Sequence, residues 1–216
     1  DINENVKENS LIIFVNPSTP DGKYYELEEL MQTWIESSCT ILIDESFLDF
    51  CDKASAIKYL ETYDKLYILK SMTKFYSSAG IRVGTIVSTK ENIEKLKEFE
   101  PMWKLSQFDS IYLQNALEDR VFKGVSQKVN EKNRIELESI LKGSSFVEEI
   151  STSSANYILV KLKDIKAKEF QERLKPYKIM VRDCSNFDYL DDRFVRIAVK
   201  SSNANDSLKR ALKHIC

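Results

Sequence analysis

The order of apolar and polar residues along the chain predicts strands that alternate with amphipathic helices. Four apolar runs have strand length: LIIFV (11–15), TILID (40–44), KLYIL (65–69) and VGTIV (83–87). Between the first two runs, residues 24–37 carry apolar side chains at helical spacing. A strand, a helix and a strand in this order predict an α/β fold with a mostly parallel, helix-covered sheet.

The pattern changes in the second half of the chain. Helical periodicity runs almost without a break from about Asp109 to Leu141. After KGSS (142–145), shorter strand and helix patterns follow: NYILVKL, KAKEFQERLKP, KIMVRD, RFVRIAVK and a helix from about Asn205. We therefore predict part of a large domain over residues 1–108, a long interdomain helix over 109–143 and a small α+β domain over 144–216.

Composition and charge exclude several classes of function. The chain has 216 residues, with 32 Lys and Arg against 34 Asp and Glu, so it lacks the basic surface that binds nucleic acid. The apolar runs are far shorter than the ~20 residues of a membrane span. The opening DINENVKENS has neither the basic start nor the apolar stretch of a signal peptide, which predicts a cytoplasmic protein.

The cysteines give no sign of a metal site. Cys39, Cys51, Cys184 and Cys216 are scattered without C-x-x-C spacing, and His214 is the only histidine. We predict reduced thiols, no metal and no catalytic role for His214, whose place in the last turn of a helix suits the helix dipole.

Polar and charged residues that could bind a ligand lie at one edge of the predicted sheet. In an open parallel sheet, ligands bind beyond the carboxyl ends of the strands. The turn FVNPSTPDG (14–22) follows the first strand, Asp44 and Glu45 end the second, KSMTK (70–74) follows the third, and Arg82 precedes the fourth. These segments are expected to converge on one cleft.

Two of these segments have both an ordinary and a functional interpretation. Ser71, Thr73 and Arg82 could bind an anion, because hydroxyl donors and a guanidinium fork match phosphate oxygens; such a run is more often a solvated turn. Asp44 is either a solvated strand end or an acid in a dry site that pairs with a cation, for which a protonated heterocyclic nitrogen would serve. Walker spacing is absent, so no ATPase loop is predicted.

Several motifs, in order, resemble the fold-type-I pyridoxal-phosphate enzymes. They are DESFLDF (44–50), KSMTKFYSSAGIRVG (70–84), SANYILVK (154–161), VRDCSNFDYL (181–190) and RFVRIAVKS (193–201). The resemblance runs from about Leu11 to the C-terminus. It implies the fold of these transferases, with a mostly parallel sheet, a small α+β C-terminal domain and pyridoxal 5'-phosphate as cofactor.

Within that superfamily the chain resembles two groups, the threonine-phosphate decarboxylases of cobalamin biosynthesis and the histidinol-phosphate aminotransferases. Phe47, where aminotransferases usually carry a tyrosine, favours the decarboxylases, as do TKFY (73–76) and the pairing of Cys184 with Asn186. The resemblance implies a homodimeric lyase that converts L-threonine O-3-phosphate or L-serine O-phosphate into the amino-alcohol phosphate of the cobamide linker. A histidinol-phosphate-type aminotransferase and an inactive, cofactor-free fragment remain alternatives.

The resemblance also implies roles for individual residues. Lys74 corresponds to the lysine that bonds to the cofactor, and Asp44 to the acid that pairs with its ring nitrogen. The remaining cofactor contacts are expected from Thr19, Phe47, Ser71, Thr73 and Arg82. Substrate binding is expected from Arg196, with Arg182 and Asn156 in the same pocket.

The chain departs from the family pattern in two places. Thr19 stands where the family has an asparagine that reaches the cofactor's phenolic oxygen, so weaker contact is expected there, and Asp21 adds a negative charge. Nothing before Leu11 matches the family's long N-terminal portion with its glycine-containing phosphate loop. We therefore expect the chain to be a fragment that lacks the N-terminal part of the family fold.

Overall fold

The structure, a computed structural model, describes residues 6–215, which divide into two compact units. The first unit comprises residues 6–17 and 24–123, and the second comprises 18–23 and 124–215. Cys216, one of the predicted free thiols, and the first five residues of the predicted polar N-terminus lie outside the described residues. No disulfide joins the three cysteines that the structure describes.

A four-stranded sheet forms the centre of the first unit. The strands are β1 (Leu11–Val15), β2 (Thr40–Asp44), β3 (Leu66–Ser71) and β4 (Gly84–Val87), in the spatial order β1-β2-β3-β4. The first three are parallel as predicted, and β4 runs antiparallel to β3. The segment between β3 and β4 holds only one short helix, too little for the crossover that a parallel neighbour requires.

Helices cover one face of this sheet. The first unit contains α1 (Glu28–Glu36), α2 (Met72–Phe75), α3 (Lys90–Lys97) and α4 (Gln107–Glu118). Met31 and Trp34 of α1 pack in one cluster with the alternating strand residues Ile41, Ile43 and Ile68. Since side chains alternate between the faces of a strand, the residues between these core positions point to the opposite face.

The segment predicted as one long helix over 109–143 is two helices. The helix α4 ends at Glu118, and α5 (Phe122–Lys142) begins after a three-residue break. Asp119 causes the break, because its Oδ1 accepts the backbone N–H groups of Val121 at 3.1 Å and Phe122 at 3.0 Å. This side chain therefore caps the start of α5. The division into a large-domain portion, an interdomain helix and a small domain stays a prediction.

The second unit is a small α+β structure, as predicted. Its strands β5 (Val147–Ile150), β6 (Tyr157–Leu162), β7 (Arg182–Asp183) and β8 (Phe194–Ala198) pair antiparallel in the order β5-β6-β8-β7. The core contains residues of α5, of α6 (Ala167–Leu174) and of α7 (Ser202–His214) together with strand residues. Within the described part of the chain, we find no helix with the length and hydropathy of a membrane span.

Candidate functional site

Asp44 lies at the carboxyl end of β2, on the sheet face opposite the helix-covered core. It is paired in register with Val15 of β1 and Leu69 of β3, between the buried positions Ile43 and Glu45. Its Oδ1 accepts two hydrogen bonds from Ser46, one from the backbone N–H at 2.8 Å and one from the hydroxyl. Among the described residues, no hydrogen bond engages the second carboxylate oxygen, Oδ2. That oxygen is available to a positively charged partner.

The next residue, Glu45, forms a buried ion pair that ties neighbouring segments together. Its Oε2 lies 2.8 Å from Nζ of Lys70, and only 2% of the Glu45 side chain is exposed. The same carboxylate accepts hydrogen bonds from the hydroxyl of Ser55 at 2.7 Å and from the N–H of Ala56 at 2.6 Å. The carboxyl end of β2 is thereby fastened both to β3 and to residues 55–56, which fixes the backbone that carries Asp44.

Three predicted cofactor residues lie together at the end of β3 and in the helix that follows it, and a fourth lies beside them. The hydroxyls of Ser71 and Thr73 are 2.8 Å apart, and Nζ of Lys74 is 3.4 Å from the Ser71 hydroxyl. The Lys74 ammonium also lies 5.0 Å from the centre of the Phe47 ring. Lys74 is exposed, whereas Thr73 is buried. Ser71 lies on the same sheet face as Leu69 and Asp44 because side chains alternate along β3.

Arg82 is not among the contacts of these hydroxyls. It is exposed, adopts a φ of +57° and donates from Nη1 to the carbonyl of Ala79 at 3.1 Å. The structure therefore brings Ser71, Thr73 and Lys74 together and keeps the Arg82 guanidinium within its own turn. A role for Arg82 at a phosphate stays a prediction.

In the second unit, Arg196 of β8 is held by two neighbours. Its Nη1 donates to the hydroxyl of Thr19 at 2.9 Å, and its guanidinium lies 4.6 Å from the centre of the Tyr157 ring. The Tyr157 hydroxyl in turn donates to the carbonyl of Ser18 at 2.7 Å. The turn at 18–23 and β6 thus fix the direction of this guanidinium before any ligand arrives.

Thr19 therefore has a structural partner that the sequence did not predict. Its hydroxyl oxygen accepts the bond from Arg196, and the hydroxyl still carries one proton to donate. The predicted contact of Thr19 with the cofactor's phenolic oxygen uses that remaining proton and stays a prediction.

Arg182 and Arg196 lie directly opposite each other on paired strands. They are register partners of the antiparallel pair β7 and β8, so their side chains leave the same face of the sheet. The Arg182 guanidinium donates to Oδ1 of Asn186 at 2.9 Å. Burial raises the pKa of the Cys184 thiol, and the positive charges of Arg196 and Arg182 lower it by a smaller amount. Two like charges in this arrangement repel, and an anion bound between them relieves that repulsion.

Asn156 directly precedes β6. Its backbone carbonyl accepts the N–H of Val199 at 2.8 Å. The side-chain Oδ1 is buried and has no hydrogen-bond partner in the described structure. A buried acceptor without a donor is costly, so this oxygen suits a ligand that donates a hydrogen bond.

Gly22 allows the turn at 18–23 to pack closely in the second unit. Its φ is +75°, and a Cβ added there would lie 2.1 Å from Oγ of Ser153 and 3.3 Å from the Tyr157 ring. The Gly22 carbonyl accepts the N–H of Ser154 at 2.7 Å. Only glycine satisfies both this backbone conformation and this contact.

We expect Gly22→Ala to destabilise the protein by about 2 kcal/mol, because backbone strain and overlap with Ser153 add together. Thermal unfolding followed by circular dichroism measures the change. Gly124→Ala is the matched control, since it lies in α5 and an added Cβ has no neighbour within 4 Å. An unchanged melting temperature for Gly22→Ala would contradict this account of the turn.

Three features of the site were not predicted from the sequence. They are the Ser46 bonds to Asp44, the pairing of Glu45 with Lys70, and the stacking of Arg196 on Tyr157. The first has a local sequence signal, because a serine two residues after an aspartate can close a short side-chain turn. The other two depend on which strands are neighbours, so the sequence alone carried no signal for them.

Comparison with known proteins identifies the family of the chain. The sequence matches the family described as aminotransferase class I and II over residues 1–215. A relative from Caldanaerobacter subterraneus, named "Putative threonine-phosphate decarboxylase", is 32% identical over 216 residues, which cover 96% of this chain and 58% of the relative. The histidinol-phosphate aminotransferase of Methanocaldococcus jannaschii is 29% identical over 213 residues, covering 98% of this chain and 57% of that protein.

Solved structures give the same result for the fold. The histidinol-phosphate aminotransferase from Clostridium acetobutylicum has a TM-score of 0.89 at 30% identity, with 96% of this chain and 64% of that chain covered. The enzyme from Sinorhizobium meliloti, solved with pyridoxal-5'-phosphate, has a TM-score of 0.83 at 19% identity, with 95% and 56% covered. At that identity the second likeness shows the fold alone.

These matches confirm the predicted family and the predicted fold. They also confirm the prediction that this family uses pyridoxal phosphate. The named relatives divide between a decarboxylase and an aminotransferase, so they give the class of chemistry and leave the reaction open. The chain spans 58% and 57% of the length of these two curated relatives. The chain belongs to the aminotransferase class I and II family.

Proposed function

We propose that the protein is a pyridoxal-phosphate-dependent decarboxylase of an amino-acid O-phosphate, with L-threonine O-3-phosphate or L-serine O-phosphate as substrate. The observation that carries this proposal is the register pairing of Arg182 with Arg196. Such a substrate bears a phosphate and a carboxylate, and two arginines on the same face of the sheet suit two anionic groups. The identity of 32% to the Caldanaerobacter relative supports the same reaction.

The residues of the first unit fit pyridoxal phosphate. Oδ2 of Asp44 is available to a protonated ring nitrogen, as described above. The hydroxyls of Ser71 and Thr73, 2.8 Å apart, are suitable donors to phosphate oxygens. Lys74 offers an exposed amine next to them, 3.4 Å from Ser71. This cofactor requires three kinds of chemical group from a protein, and the first unit contains all three: an acid, hydroxyl donors and an amine.

Each residue then has a defined task. When bound, pyridoxal phosphate supplies an electron sink for the electron pair that remains when a bond to the substrate's Cα breaks. Asp44 holds the proton on the ring nitrogen through its negative charge. Lys74 would hold the cofactor through its amine, and the same amine would serve as the proton donor to the substrate's Cα.

The arginines of the second unit orient the substrate. Arg196, already fixed by Thr19 and Tyr157, binds one anionic group, and Arg182 on the neighbouring strand binds the other. A guanidinium that is already fixed would restrict the orientation of the anionic group that it binds. Threonine and serine phosphates differ by one methyl group, worth about 1–3 kcal/mol of discrimination. The product is an amino-alcohol phosphate, the linker expected in cobamide synthesis.

A histidinol-phosphate-type aminotransferase is the second candidate. The relative from Methanocaldococcus jannaschii supports it at 29% identity. The two arginines would then bind the phosphate of one substrate and the carboxylates of glutamate in turn. Phe47 argues for the decarboxylase, because the aminotransferases that the chain resembles usually carry a cofactor-contacting tyrosine there.

The two reactions differ in their products, which provides the test. The intact protein is incubated with pyridoxal phosphate and each phosphorylated amino acid, and separately with histidinol phosphate and 2-oxoglutarate. We expect carbon dioxide from threonine or serine phosphate without any oxo acid. Glutamate formation from histidinol phosphate would refute the decarboxylase and support the aminotransferase. The absence of both products, with no cofactor bound, would support the inactive alternative.

A further inference from the structure

Ser46 is a buried residue whose side chain contacts the proposed cofactor acid. It is 6% exposed, and both its backbone N–H and its hydroxyl donate to Oδ1 of Asp44. Ser46 is not among the residues assigned to cofactor or substrate above. The hydroxyl is therefore a buried polar group with a known partner, Asp44, and no assigned role in the proposed function.

Two donors on one carboxylate oxygen restrict the rotation of that carboxylate. A single backbone donor would leave a range of rotation about the Cβ–Cγ bond over which that one hydrogen bond is kept. The second donor, from the hydroxyl, approaches Oδ1 from a different direction and fixes the plane. Because a carboxylate is planar and rigid, holding Oδ1 in this way also restricts the position of Oδ2.

We propose that Ser46 is a positioning residue that fixes the Asp44 carboxylate so that Oδ2 meets the ring nitrogen of pyridoxal phosphate. This inference rests on the proposed function, because it assigns the partner of Oδ2. The serine acts only through Asp44 and touches neither cofactor nor substrate. Its contribution is preorganisation, since the carboxylate does not have to be ordered when the cofactor binds.

Ser46→Ala removes the hydroxyl and keeps the backbone bond. We expect it to raise the dissociation constant for pyridoxal phosphate about tenfold or more, the effect of one hydrogen bond to a charged group. Ser88→Ala is the matched control: it removes a partly buried hydroxyl of the same unit that donates to the carbonyl of Leu66, away from Asp44. The control is expected to bind the cofactor as the unchanged protein does.

Two further readouts separate positioning from a general structural effect. With pyridoxal phosphate labelled with nitrogen-15 in its ring, nuclear magnetic resonance should show that the ring nitrogen loses its proton at a lower pH in Ser46→Ala but not in Ser88→Ala. In crystals of the cofactor-free Ser46→Ala protein, the Asp44 carboxylate should occupy a second orientation.

The outcomes distinguish the inference from the proposed function. If the unchanged protein binds the cofactor and Ser46→Ala binds it equally well, the inference is overturned and the proposed function stands. If the unchanged protein binds no cofactor, the proposed function fails. In that case the crystal structure still decides whether Ser46 fixes Asp44, and a single unaltered orientation of Asp44 in the variant would overturn that role.

Discussion

Lys74→Ala is expected to abolish activity, with a fall in turnover of about a thousandfold or more, because in the proposed function this one side chain provides both the covalent link and the proton for Cα. The variant should also lose the visible absorbance of the bound cofactor. Folding should be unaffected, since Lys74 is exposed and its closest polar contact is 3.4 Å from Nζ. The rate of carbon dioxide release from threonine or serine phosphate, measured with the absorbance spectrum, checks this expectation.

The control for this variant is Lys95→Ala, an exposed lysine in α3 of the same unit. It should keep both the absorbance of the cofactor and the rate of product release. A Lys74→Ala protein that retained full turnover would place the chemistry elsewhere in the molecule.

Lys70→Met is expected to have the largest effect on stability, a loss of about 3 kcal/mol, because it leaves the buried Glu45 carboxylate without its counter-charge. The pair is 2.8 Å apart, and 19% of Lys70 and 2% of Glu45 side-chain surface are exposed. Urea unfolding followed by tryptophan fluorescence measures the loss. The chain's two tryptophans, Trp34 and Trp103, both lie in the first unit, so the signal reports on that unit.

Two comparisons show whether the loss of stability comes from the lost charge and from the burial of the ion pair. Lys70→Arg keeps the positive charge and should recover most of the lost stability. Lys58→Met removes an ion pair with Glu28 whose side chains are 52% and 61% exposed, and it should change the unfolding midpoint little. Equal effects of Lys70→Met and Lys58→Met would contradict the claim that burial makes the Glu45 pair important.

The sequence predicted the strands of the first unit well because each is a short apolar run bounded by turn residues, whereas β5 of the second unit was not predicted and β7 is shorter than its predicted run. The predicted runs 11–15 and 40–44 agree with β1 and β2 residue for residue. The direction of β4 was not predictable from its own residues, since it depends on how little chain connects it to β3. The break between α4 and α5 was missed because apolar periodicity continues through it, whereas a single side chain, Asp119, caps the second helix.

In the candidate site, too, residues within short motifs were predictable from the sequence, whereas contacts between distant residues were not. Asp44 and Lys74 were predicted from short motifs at the ends of strands, and Ser71 and Thr73 lie in the same motif as Lys74. The partner of Arg196 was not predictable, because Thr19 lies 177 residues away in the sequence. Contacts of this kind depend on strand register and turn packing, which cannot be derived from a single sequence.

The role of Lys74 is the central claim, and one measurement tests it most directly. The intact protein is loaded with pyridoxal phosphate, reduced with borohydride and digested, and the peptides are weighed by mass spectrometry. We predict that the peptide containing Lys74 gains the mass of the reduced cofactor and that the other lysine peptides do not. A reduced cofactor attached to a different lysine, or to none, would contradict the assignment of the site.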